Sequence, residues 1–102
     1  MTDADLRIFI EGLAAAWRAD VSIVACAEGD VLTATLRSKE AVVAEVRREL
    51  QPFGVVWRVQ APGGRERLHP SAQGAIRSLG AILAPDQPMA RVMFAGGMGD
   101  RA

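Results

Sequence analysis

The chain is poor in the side chains that do chemistry. Its 102 residues include no tyrosine, one histidine and one cysteine. A lone Cys26 excludes an internal disulfide framework, so the fold has to rest on its own core. Neither Cys-x-x-Cys nor His-x-x-x-His occurs, and one His with one Cys falls short of the three or four ligands of a zinc site. No apolar run approaches the roughly 18 residues that cross a membrane as a helix. The opening "MTDADLRIF" is acidic where a secretory signal is basic, which predicts a cytoplasmic protein with no membrane attachment. Twelve basic residues balance twelve acidic ones. Neutralising a phosphate backbone takes a surplus of cations, so nothing here points strongly to nucleic acid.

What is present describes a globular object. Half of the residues are apolar and 24% are charged. A domain of this length buries about two-thirds of the surface its unfolded chain exposes, enough for a core without staples. Residues 1–95 read as one domain and "GGMGDRA" (96–102) as a flexible glycine-rich tail. Charge is uneven along the chain. Residues 1–36 hold two cations against six anions, and 37–67 hold seven against four. Such a split either neutralises itself within one fold or favours head-to-tail association.

Periodicity gives the elements. Leu6, Phe9, Ile10, Leu13, Ala14 and Trp17 form one apolar stripe, so 3–18 reads as a helix, with Thr2 and Asp5 spaced as a capping box. Gly12 weakens its middle, and its missing side chain suggests close approach of another backbone. "VSIVACA" (21–27) and "VLTATLR" (31–37) flank "EGD" as a hairpin. Ser38 reads as the cap of a second helix, 39–51, burying Val42, Val43, Val46 and Leu50 and stopped by Pro52. "GVVWRVQ" (54–60) is a strand with Val55, Trp57 and Val59 on one face. Ser71 caps a helix to about Leu83, with Ala72, Ala75, Ile76, Leu79 and Leu83 inward, and "MARVMF" (89–94) reads as a last strand. The order α-β-β-α-β-α-β predicts an α+β fold: one mixed sheet, helices mainly on one face, and the other face open.

Candidate sites follow from this plan. Either the open face or the last strand's edge would join two copies in a homodimer, with Thr33, Thr35, Val56, Arg58, Val92 and Phe94 as the candidate contacts. "APGGRERLHPSAQ" (61–73) holds the parts of an anion site. Gly63 and Gly64 permit a concavity of N–H groups, Arg65 and Arg67 bring charge, and Ser71 starts a helix. The spacing matches neither Gly-x-Gly-x-x-Gly nor Gly-x-x-x-x-Gly-Lys-Ser/Thr, and Glu66 between the arginines would oppose an anion. Cys26, in mid-strand among apolar neighbours, reads as a buried, inert thiol. His69 is the lone histidine available for acid–base work.

The stretch from about Asp5 to Gln60, read as α-β-β-α-β, is similar in pattern to BON domains, and "FGVVWRV" matches their final strand. Ala34 stands where that family has glycine after the leucine of its second strand. The same layout resembles the N-terminal protein-binding domain of the bacterial replication initiator and KH-like folds, although no Gly-x-x-Gly falls within the stretch. Together these resemblances imply a binding module. The expectation is therefore a small, non-enzymatic, self-associating domain that contacts itself or another protein, with no cofactor. The alternative is an anion- or nucleotide-sensing domain built on the 63–71 loop. A small enzyme using His69 and Cys26 between subunits is the third.

Overall fold

The computed structural model describes residues 1–86. Within them the order is α1 (Asp3–Ala16), β1 (Ser22–Glu28), β2 (Val31–Ser38), β3 (Ala41–Gln51), β4 (Gly54–Gln60), β5 (Arg67–His69) and α2 (Ala72–Leu83). The fold is α+β. Its five strands form one sheet in chain order, β1-β2-β3-β4-β5, and every neighbouring pair is antiparallel.

Residues 41–51 are thus a strand, which corrects the helix expected over 39–51. Ser38 caps nothing. It pairs with Ala41 across a two-residue turn in which Lys39 takes a left-handed φ of 59°. With that helix gone, the connections between strands are hairpins. The sheet is antiparallel rather than mixed, and the layouts with a central helix, BON-like and KH-like alike, do not describe this chain. Residues 67–69, read as loop, form the short fifth strand. The strand expected at 89–94, with Val92 and Phe94, and the tail from 96 lie outside the described residues.

The alternation of side chains sorts the sheet. Leu32, Ala34, Leu36, Ala44, Val46, Trp57 and Val59 are buried on one face. Both helices lie on that face. From α1 come Leu6 and Ile10, from its C-cap Trp17, and from α2 Ala75 and Leu79, all in the same core. Phe9 meets the Trp57 ring at 6.0 Å between centroids, and the Arg48 guanidinium lies 5.8 Å from that ring's centre.

α1 begins as its sequence says. Asp5 N–H donates to Thr2 Oγ1 at 3.1 Å, and Thr2 N–H donates to Asp5 Oδ2 at 2.9 Å. The Thr2 backbone N–H first, and the Thr2 side chain after it, hold the Asp5 carboxyl below its usual range. Gly12 is exposed, and a Cβ placed there would meet nothing within 4 Å. No backbone approaches it, contrary to expectation. Gly12→Ala should therefore raise stability by about 1 kcal/mol, read as a higher urea midpoint at unchanged slope.

Candidate functional site

Two surfaces carry the sequence-predicted residues. The first is the sheet face turned away from the helices. Register places Thr33 beside Arg47, Thr35 beside Glu45, Arg47 beside Arg58, and Glu49 beside Val56. Thr33, Thr35, Val56 and Arg58 are thereby brought together on the one face that neither α1 nor α2 covers. Its centre is an ion-pair network. Glu49, only 8% exposed, lies 2.8 Å from Arg58 Nε and 3.9 Å from Arg47 Nη2. The Nε–H points off the line to that oxygen, so this contact is an ion pair rather than an aligned hydrogen bond. Arg58 Nη1 also donates to Glu66 at 3.0 Å, and Gln51 Nε2 donates to Glu49 at 3.0 Å. Glu49 first, then Glu66, raises the Arg58 pKa further and keeps it a fixed cation.

The margin of this face is apolar. Val24 is 65% exposed and Leu68 56%. Cys26 is exposed there too, which corrects the buried thiol expected of it. It occupies a mid-strand position, but its side chain points away from the helices, opposite Thr33.

The margin ends in β1. Among the described residues its seven residues pair with β2 alone, so half of its backbone donors and acceptors face outward. No backbone hydrogen bond joins β1 to a segment on that outer side among the described residues. Sheet edges are usually blunted by lysine, proline or a bulge. "SIVACAE" has none of them.

The second surface is a cleft of about 510 Å³ between the 61–67 segment and the outer side of α2. Gly64, Arg65, Arg67, Arg77 and Ser78 give it polar walls, and Val59, Ala61, Ala81 and Ile82 give it apolar ones. Three residues expected at an anion site, Gly64, Arg65 and Arg67, stand here. Gly63 and Ser71 are not among its walls. Gly63 instead takes a left-handed φ of 73° in the turn, and Ser71 Oγ accepts the Gly74 N–H at 3.2 Å as the α2 cap. The sequence reading missed Arg77 and Ser78. Their signal was weak, an arginine and a serine on the polar side of a helix. It is the return of the chain through β5 that lays this side against the loop.

His69 sits behind the cleft. Its Nε2 is 2.5 Å from Ser78 Oγ, which ties β5 to the middle of α2. The ring leaves no space beside it, since a Cβ on Gly74 would lie 2.7 Å from His69 Nδ1. Among the described residues no hydrogen bond or ion pair joins His69 to a carboxylate, and none joins it to Cys26. A triad needs that third, orienting group. No cluster of three or more His, Cys, Asp or Glu side chains that could hold a metal ion occurs among the described residues. No helix among them is long and apolar enough to cross a membrane.

No family model, curated protein or solved structure matches the chain at a significant level.

Proposed function

We propose that this chain is a small interaction domain that works by contact rather than by catalysis, and that two copies join edge to edge through β1. The carrying observation is the seven-residue edge strand whose outer backbone groups find no partner among the described residues, and which carries no lysine, proline or bulge.

The strand is complementary to itself. In an antiparallel pairing about a two-fold axis at Ala25, Val24 of one copy lies opposite Cys26 of the other, and Ile23 opposite Ala27. Glu28, its one charged residue, lies opposite Ser22, so no like charges meet. Pairing makes one continuous sheet and draws the exposed Val24 and Cys26 of both copies into a single apolar stripe. Stacking the open faces on each other would instead bury the Glu49–Arg58 network, whose desolvation is costly. The edge is therefore favoured over the face. A cytoplasmic setting belongs to this reading, because an exposed free thiol such as Cys26 persists in a reducing compartment.

Light scattering tests the proposal. The protein should run as a dimer at about 100 μM, and Val24→Lys should weaken the dimer at least about tenfold by setting two cations beside the axis. Val24 is exposed, so the monomer fold should survive that change. Reaction of Cys26 with a thiol reagent should slow as protein concentration rises. A monomer at that concentration, or a dimer indifferent to Val24→Lys, overturns the reading.

A further inference from the structure

We infer that the cleft between the 61–67 segment and α2 is a binding site for a phosphorylated small molecule, its phosphate held by Arg65, Arg67 and Arg77 and its organic part against Ala81 and Ile82.

The charge of the cleft is unbalanced. Three guanidinium groups line it, and among the described residues no carboxylate does. None of the three makes an ion pair among the described residues. Glu66, the acid between two of them in sequence, is turned to the far side of the sheet and bound to Arg58 at 3.0 Å. Arg65 and Arg67 line the cleft, while Glu66 between them, just before β5, is drawn off by Arg58. The residue that opposed an anion in the sequence is thus removed from the site by the fold. Like charges brought together around a concavity repel, and an anion between them reverses the sign of that interaction.

The chemistry of the walls narrows the ligand. A phosphomonoester carries a charge of about −1.5 to −2 near pH 7 and three acceptor oxygens, which suits several guanidinium forks at once. Ser78 adds a hydroxyl whose position is fixed by His69. A volume of about 510 Å³ falls in the range of small-molecule sites and exceeds what a bare phosphate fills. The remaining accessible walls, Ala61, Ala81 and Ile82, are apolar and suit an uncharged organic body.

Phenyl phosphate is the minimal probe, with inorganic phosphate and phenol as its two halves. Titrated into the 15N-labelled protein, phenyl phosphate should give saturating shifts at the Gly64 and Ser78 amides with a dissociation constant of about 1 mM or tighter. Inorganic phosphate should bind more weakly at the same amides, and phenol should move neither. Arg65→Ala and Arg77→Ala should each weaken phenyl phosphate about tenfold, as loss of a charge-assisted contact does. Arg37→Ala, outside the cleft, should leave binding unchanged, and Arg77→Lys should restore part of the loss. The amide spectra report directly that each variant is folded. The inference falls if phenyl phosphate causes no saturable shift, if the Arg77 variants bind as the parent does, or if inorganic phosphate binds as tightly as its ester.

Discussion

Trp57→Ala is expected to cost about 3–5 kcal/mol, enough to leave much of the chain unfolded at room temperature. Trp57 is nearly fully buried at the point where sheet and both helices meet. Phe9 of α1 tilts against its ring, Arg48 of β3 lies over it, and Ala75, Ile76 and Leu79 of α2 gather around the same space. Truncation removes the largest shared surface and leaves a cavity that three separate elements would have to close. None can do so alone, because each is fixed by other contacts. Urea denaturation followed by far-ultraviolet circular dichroism should show a much lower midpoint. Trp57→Phe should recover part of the loss, and a midpoint within experimental error of the parent would refute this account of the core.

The second large effect comes from a glycine, in contrast to Gly12. Gly54 opens β4 after the Pro52–Phe53 turn, with φ at +138°. That region is nearly closed to residues with a Cβ, so strain there does not depend on crowding. A Cβ at Gly54 would touch nothing within 4 Å, and yet Gly54→Ala should cost about 1–3 kcal/mol. The same substitution should stabilise at Gly12 and destabilise at Gly54. Parallel urea melts of the two variants check the pair, and a shift of the same sign in both would show that backbone conformation is not the cause.

The β3–β4 hairpin also shows where the sequence was readable and where it misled. The α1 stripe, the first hairpin, the alternation of Val55, Trp57 and Val59, and the inner face of α2 were all legible, because in each a single period runs unbroken. Residues 39–51 were not. Leu36 pairs with Ala44 and Arg37 with Val42, so Val43 is the extra residue of a bulge. The bulge places two valines side by side, and Val42, Val43, Val46 and Leu50 then imitate a helical stripe. Past it, the strand alternation is plain, with Ala44 and Val46 inward and Glu45, Arg47 and Glu49 outward. Ser38 and Pro52 carried the right punctuation for either element. Pairing with β2 and β4, which local pattern does not reveal, decides between them.

The candidate sites divide in the same way. Thr33, Thr35, Val56 and Arg58 share a face because strand alternation is local, and the sequence showed it. The Glu49 bridge between Arg47 and Arg58 depended on the misread strand and was hidden with it. Arg77 joins Arg65 and Arg67 only through the fold, since β5 and α2 have to meet before the cleft exists. Cys26 was misjudged because its neighbours in sequence are apolar, whereas its exposure is set by which face of β1 the helices leave bare.

Strands that follow one another in sequence also lie next to one another in space, whereas α1 precedes the sheet and α2 follows it. Each hairpin can close over a short loop as the polypeptide leaves the ribosome, without waiting for distant partners. Phe9, Ile10 and Leu13 of α1 cover one part of the space at Val46 and Trp57, and Ala75, Ile76 and Leu79 close the rest only once α2 is made. A nascent chain would hold a nearly complete sheet with part of its greasy side unsheltered, and synthesis of the final turns of α2 would mark the moment at which it stops being a client for chaperones.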